Sequence, residues 1–364
     1  MKEIIFVLNC IEDSLCKKRV EEFQEKTFSV KVYGYVRNRQ MQPIDGGIVL
    51  SEIPNSLSYV KRLPILKRTL KQVIRKENCN DVIWYFFGLD IALVALLLNK
   101  DIKYIYENAD LSYTNIKLPL LSALFKKADQ KVVNKSLATV FTSEGFVDYH
   151  YNGCCPKNVI IKPNKINRRI LELPSVIKKE LNPNHLSFAF VGLIRYKSIY
   201  NMAEVISRRF PNHSFHFFGI YADDKSEEAT AFRALESRAN VFFHGRFNNP
   251  SDLPKVYSNI DVVVSTYDVT SDNVKYAEPN KIYESIFFRT PIVVSEGTFL
   301  ANKVSKLGSG YAVNAMSEQC IVDLVNQVES SIYNVIDDIK KIPQDFAVNE
   351  SEYFFKALNK LMLL

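Results

Sequence analysis

The chain has 364 residues, 47% of them hydrophobic and 24% charged, with a formal net charge of +7. At roughly 150 residues per domain this suggests two globular domains with ordinary cores, and the modest positive charge fits an anionic ligand without demanding a nucleic acid. The six cysteines (Cys10, Cys16, Cys79, Cys154, Cys155 and Cys320) show no metal-like CxxC spacing and read as free thiols of a reducing compartment.

The first stretch, MKEIIFVLNCIEDS, is apolar for only about six residues and turns acidic at Glu12 and Asp13. It therefore reads as a buried strand rather than a signal peptide, and a cytoplasmic location is expected. Further strands are predicted near Val30–Tyr35, Val82–Phe87, Lys103–Glu107, Ala138–Thr142 and Val159–Ile161. Helices are predicted between them at Cys16–Glu25, Leu66–Glu77, Ile91–Asn99 and Leu118–Asn134. The apolar run from Val82 to Leu98 carries Asp90 in its middle, so it reads as a strand and a core helix, not a membrane span.

From Tyr59 to Lys76 the chain interleaves seven cations (Lys61, Arg62, Lys67, Arg68, Lys71, Arg75, Lys76) with leucine, isoleucine and valine. Such a basic amphipathic helix fits an anionic membrane surface, and equally an ordinary surface helix with snorkelling lysines. Leu118–Lys127 offers a second apolar contact. Lys162 to His185 is rich in proline, asparagine and charge and reads as an interdomain linker.

The pattern restarts at Leu186–Ile194. It continues with strands at Ser214–Gly219, Val241–Gly245, Asp261–Ser265, Pro291–Ser295 and Gly310–Val313, separated by helices at Tyr200–Arg209, Glu227–Glu236, Leu253–Ser258, Lys281–Phe288 and Ser317–Ser330. Alternating strands and helices predict an α/β chain with two doubly wound, Rossmann-like domains, residues 1–167 and 168–350. The tail, residues 351–364, is an amphipathic helix that either ends the second domain or packs back on the first.

Ligands of open α/β sheets bind outside the carboxyl ends of the strands, so chemistry is sought in the loops that follow them. The first such loop has no glycine, and neither a G-x-G-x-x-G nor a Walker motif occurs, which disfavours NAD-dependent and ATP-hydrolysing functions. In the second half, Gly192 ends a strand and is followed by Arg195 and Lys197, two cations able to neutralise a diphosphate; solvated loop cations are the plainer alternative. Pro279-Asn280-Lys281 opens a helix whose N-terminus favours phosphate, with Lys281 adding a cation and Glu284 a carboxylate suited to a ribose diol.

The order VG-x3-R-x-K, DLPKVYSNIDVVVSTYD, EPNKIYESIFFRTPIVVSEGT and LGSGYAV resembles the C-terminal half of family 4 glycosyltransferases of capsular and exopolysaccharide assembly. In the first half, Glu107-Asn108-Ala109-Asp110-Leu111, Thr142-Ser143-Glu144-Gly145-Phe146 and Pro163-Asn164 resemble segments of the same family. The resemblance implies a GT-B fold, two such domains facing across a cleft, and retaining, metal-independent transfer of a hexosyl group from a UDP- or GDP-linked sugar. It implies no further cofactor.

Carried onto this sequence, Glu284 takes the place of the ribose-binding glutamate. Arg195 and Lys197 take that of the diphosphate-stabilising pair, and Gly192, Tyr267, Asn280 and Lys281 that of the donor pocket. The first glutamate of the family's motif is displaced: Tyr276 stands eight residues before Glu284 and Glu278 two residues later, leaving either to serve the donor sugar. The implied acceptor is a glycan, lipid-linked, reached from the inner membrane face through residues 59–76. Two rivals share the fold: a sugar-nucleotide 2-epimerase, and a non-catalytic nucleotide-sugar-binding scaffold.

Overall fold

The computed structural model describes residues 3–26, 28–37, 42–54, 57–77, 82–116, 118–175 and 177–362; Cys79 lies outside them. In chain order the elements are β1 (Glu3–Leu8), α1 (Ser14–Gln24), β2 (Ser29–Val36), β3 (Ile48–Glu52), α2 (Tyr59–Lys76), β4 (Val82–Phe87), α3 (Leu89–Leu98), β5 (Tyr104–Asn108), α4 (Pro119–Lys135), β6 (Ala138–Phe141), α5 (Gly145–Tyr151) and β7 (Val159–Ile161). They continue as β8 (Ser187–Val191), α6 (Lys197–Arg209), β9 (Ser214–Phe218), α7 (Glu227–Ala234), β10 (Val241–Gly245), α8 (Leu253–Ser258), β11 (Val262–Ser265), α9 (Asp272–Tyr276), α10 (Lys281–Phe287), β12 (Ile292–Ser295), α11 (Phe299–Leu307), β13 (Gly310–Val313), α12 (Glu318–Lys341) and α13 (Glu352–Met362).

The chain forms two compact units: Met1–Pro163 together with Glu350–Leu364, and Asn164–Asn349. The linker read from Lys162 to His185 thus falls largely within the second unit, where Ile166 bridges to Val348 and Arg168–Glu172 forms a 3-10 turn. Proline and charge hid this packing, which rests on isolated buried residues such as Ile166 and Ile170.

The first unit carries a parallel sheet of order β3-β2-β1-β4-β5-β6-β7. Its central strand β4, VIWYFF, is apolar and buried at every position, as expected of a parallel strand covered by helices on both faces. Asp13 caps α1 by accepting from the Leu15 and Cys16 N–H groups at 2.9 and 3.4 Å. Phe354, Phe355 and Leu358 of α13 pack into this unit's core beside Phe23.

A buried charge network ties the same elements together. The Arg19 guanidinium lies against both Glu107 oxygens at 2.9 Å and Glu22 at 2.5 Å, and Tyr85 also donates to Glu107. Lys162 reaches Glu22 at 3.3 Å and the Glu350 carbonyl at 3.0 Å. Glu107, the head of the E-x-x-D-L segment, is thus a core ion-pair partner.

The second unit carries a parallel sheet of order β10-β9-β8-β11-β12-β13. Alternate residues of β8, β9, β11 and β12 face two cores, one shared with β13, α6 and α12 and the other with α8, α10 and α11. Gly219 follows β9 at φ +143, where an added Cβ would meet the Gly192 carbonyl oxygen at 1.8 Å. The two strand ends can approach this closely only because residue 219 carries no Cβ.

Candidate functional site

In each sheet the strand order reverses once: between β1 and β4 in the first, between β8 and β11 in the second. Chain connections leave in opposite directions from that point, which opens a crevice at the carboxyl edge.

The second crevice is bordered by the loops after β8 and β11. Gly192 sits at φ +150 and turns the chain out of β8. Arg195 and Lys197 follow, both exposed, and neither forms an ion pair among the described residues. The Arg195 guanidinium carbon lies over the Tyr196 ring, 4.7 Å from its centroid, and Nη2 donates to the Tyr196 hydroxyl at 2.5 Å. Tyr196 meets Tyr267 edge to face at 4.9 Å. Burial pushes the Tyr267 phenol up to about 12; Tyr196 and Glu284 add to the rise, while the Ser265 hydrogen bond and Arg195 oppose it. Tyr267 therefore feels the charges of both Arg195 and Glu284.

The N-terminus of α6 is already engaged. The backbone N–H groups of Lys197 and Ser198 donate to the Asp268 carboxylate at 3.1 and 2.8 Å. A carboxylate from the loop after β11 thus stands where helix-end N–H groups favour an anion. Among the described residues, the buried Ser198 Oγ and Thr266 Oγ1 have no hydrogen-bond partner.

Glu284, on α10, is 1% exposed and is held from three sides. Its Oε1 accepts from Asn280 at 2.7 Å and Lys281 at 2.9 Å; its Oε2 accepts from Lys281 and Tyr257 at 2.8 and 2.9 Å. Burial, with Glu284 beside it, holds the Tyr257 phenol well above its usual range. Lys281 was expected to offer a cation to a ligand. The structure instead seats its ammonium on Glu284, buried.

Glu278 is buried as well. Its Oε1 accepts from Lys303 Nζ at 2.6 Å and from the Tyr283 hydroxyl, while among the described residues its Oε2 has no partner. Tyr276, the other residue considered for this role, ends α9 and is half-buried.

The structure thus gathers Asn280, Lys281 and Glu284 into one buried cluster, places Glu278 beside Lys303, and leaves Arg195 and Lys197 at the exposed rim. Tyr257, Asp268 and Lys303 escaped the sequence reading. Asp268 carried a signal, a carboxylate three residues past the end of a buried strand; Lys303 sits mid-helix on α11 and Tyr257 in the last turn of α8, with nothing local to mark them.

Against known proteins the second unit gives the clearest match. Residues 176–336 match the family model described as glycosyl transferases group 1. No curated protein matches the chain. Among solved structures, sucrose-phosphate synthase from Thermosynechococcus elongatus aligns over 100% of this chain and 98% of its own at 12% identity and TM-score 0.70. HepE from Anabaena, solved with UDP and glucose, aligns over 100% of both chains at 11% identity and TM-score 0.68. A UDP-GlcNAc 2-epimerase from Neisseria meningitidis aligns over 99% and 98% at 13% identity and TM-score 0.64. The chain has the two-domain α/β fold of GT-B proteins.

Proposed function

We propose that the protein is a retaining, metal-independent glycosyltransferase of surface-polysaccharide assembly. It moves a hexosyl group from a nucleoside-diphosphate sugar to a lipid-linked glycan. The reading is carried by one coincidence: the family match over residues 176–336 spans the crevice where Arg195 and Lys197 stand exposed at a strand mouth, with no ion pair among the described residues. HepE's complex with UDP supports uridine as the first base to test.

The barrier to such a transfer lies in separating an oxocarbenium-like sugar from a diphosphate, so the protein's task is electrostatic. Arg195 and Lys197 neutralise the departing diphosphate. The unpartnered Oε2 of Glu278 takes a hydroxyl of the donor sugar, with Lys303 and Tyr283 fixing the carboxylate from the other oxygen. A ribose diol that reaches Glu284 takes the place of the hydrogen bonds from Lys281, and so releases Lys281 toward the phosphates.

The acceptor side is read from the first unit. The cations of α2, and Leu118, Leu120 and Leu124 at 65, 84 and 63% exposure, support contact with an anionic bilayer. No helix among the described residues is long and apolar enough to cross one. Flotation with anionic vesicles that leaves all the protein behind would remove the membrane part of the reading.

A thermal-shift screen against UDP, GDP, CMP, ADP and NAD, run on the natural protein and Glu284→Gln, tests the donor. A ligand at about a hundredfold its Kd adds roughly 2.7 kcal/mol. Stabilisation by one nucleoside diphosphate, weakened in the variant, is expected. Folded protein that responds to none of them defeats the reading, and binding without any turnover points to a scaffold.

A further inference from the structure

The edge of the second unit's sheet carries a pair of imidazoles that neither crevice uses. His216 on β9 and His244 on β10 meet through Nδ1 and Nε2 at 2.9 Å. Their ring centroids stand 5.2 Å apart and their planes differ by 9°. At that contact distance, such a centroid separation is reached only when the two rings lie end to end in nearly one plane. Phe218 stacks on His244 at 4.2 Å and Phe242 on His216 at 4.9 Å. The phenyl rings thus take up imidazole faces and leave the two nitrogens in line.

The groups behind His216 fix its tautomer. Lys179 Nζ donates to Ser187 Oγ at 2.8 Å, and Ser214 Oγ donates to the same oxygen at 3.2 Å. With its proton spent there, Ser214 Oγ accepts from His216 Nε2 at 2.8 Å. His216 Nδ1 is therefore a lone pair aimed at His244, which donates its Nε2 proton to it. An imidazole whose far N–H is held by an oxygen is the usual arrangement of a metal-binding histidine. Both rings are also held neutral. Burial, then His244 and Lys179, pushes His216 down to about 4, and burial lowers His244. Lys179 pairs with Asp261 at 3.3 Å, which offsets its charge.

Moving the proton of the exposed His244 from Nε2 to Nδ1 presents two opposed lone pairs. Nitrogens on opposite sides of an ion, at about 2.0 Å each, stand about 4 Å apart, so the rings have to part by about 1 Å. Strand β10 allows this, being an edge strand whose ladder to β9 is irregular between Phe243 and Gly245. Opposed imidazoles, with water in the remaining positions, suit square-planar or tetragonal Cu2+ and Ni2+ better than tetrahedral Zn2+. We propose that His216 and His244 bind a divalent ion of the copper and nickel type, which clasps β10 to β9. This binding does not depend on the sugar transfer proposed above.

The test is a titration of Ni2+ into the full chain, read by imidazole 1H–15N spectra and by the melting point. The natural protein is compared with His244→Asn and Ser214→Ala. Paramagnetic Ni2+ is expected to broaden the His216 and His244 resonances first and to raise the melting point, since an ion bound only by the folded chain stabilises it. His244→Asn should lose both effects, and its exposed position leaves the fold intact. Ser214→Ala, which frees the His216 tautomer, should weaken Ni2+ binding by about tenfold. A natural protein whose melting point ignores Ni2+, or a His244→Asn variant that binds it equally well, makes the ion adventitious and overturns the proposal. Broadening centred on His150, His185 or His213 does the same. Unchanged affinity in Ser214→Ala would remove the preset tautomer on which the site rests.

Discussion

The two crevices share a topology and differ in how their charges are spent. In both, the sheet reverses direction between its first and fourth strands. In the second unit the buried carboxylates arrive neutralised, Glu284 by Lys281 and Glu278 by Lys303, and the unpaired charge stands outside on Arg195 and Lys197. In the first unit the arrangement is inverted. The arginine inside is fixed to backbone carbonyls, and the carboxylate of Asp90 is the one without an ionic partner. One edge leaves its cations at the rim, the other a buried carboxylate with no ion pair among the described residues, although the strands beneath run in the same order.

The sharpest way to break this contrast is at its exposed cation. Arg195→Ala should lower sugar-transfer turnover by about 10²–10³, in line with losing one preorganised donor to a developing charge. Because Arg195 is exposed and touches little besides Tyr196, the melting point should hardly move. A variant with near-normal kcat would show that the rim cation is only solvated.

The next test concerns the buried pair. Glu284→Ala strands the Lys281 ammonium in the core and should cost about 3–5 kcal/mol in urea unfolding. Glu284→Gln combined with Lys281→Met removes both charges and should recover most of that loss. If Glu284→Ala alone costs under about 1 kcal/mol, water reaches Lys281 and the cluster is less closed than its geometry implies.

The contrast also separates what could be read in the chain from what could not. Central strands such as β4 and β8 announce themselves as unbroken apolar runs, and PNK before an apolar helix places α10 to within a residue. Strand β3 escaped because an edge strand with exposed Ile48 and Val49 has no buried period to reveal it. Helix α2 runs from Tyr59 through Pro64, forgoing one N–H bond; it takes the whole basic amphipathic stretch rather than the shorter span from Leu66. Helices α5 and α11 span 7 and 9 residues, too short for a clear apolar repeat. The carboxylates of the site were visible as residue types. Their partners were not, because Tyr257 and Lys303 lie 27 and 25 residues from the groups they hold. Pairing at that range is decided by how helices dock, which one-dimensional spacing does not encode.

Asp268 sharpens the comparison at smaller scale, since it is an internal anion placed where an external one is expected. Asp268→Ala should cost about 1 kcal/mol of stability, as for a lost helix cap. It should also tighten nucleoside-diphosphate binding a few-fold, because a like charge at a helix end is worth roughly 0.3–1 kcal/mol. Isothermal titration reads the second effect. Unchanged or weaker binding would mean that Asp268 orders the loop and never shares its place with phosphate.

The smallest effect expected lies in the other crevice, and its sign distinguishes a costly buried charge from a structural ion pair. Burial raises the folded-state pKa of Asp90, with Arg37 and Arg62 opposing, while in the unfolded chain the group titrates near the ordinary carboxylate value. Between those two values the folded protein holds the proton more tightly. The associated stability is therefore complete at acid pH and lost as pH rises through the folded pKa. At neutral pH the charged carboxylate is a net cost, so Asp90→Asn should melt slightly higher than the natural protein there, and the gap should close on acidification. A structural ion pair would give the reverse: its removal would destabilise at neutral pH and matter least in acid. If Asp90→Asn lowers the neutral-pH melting point, the carboxylate is serving the fold. If it raises the melting point, the fold is carrying a destabilising charge in this crevice.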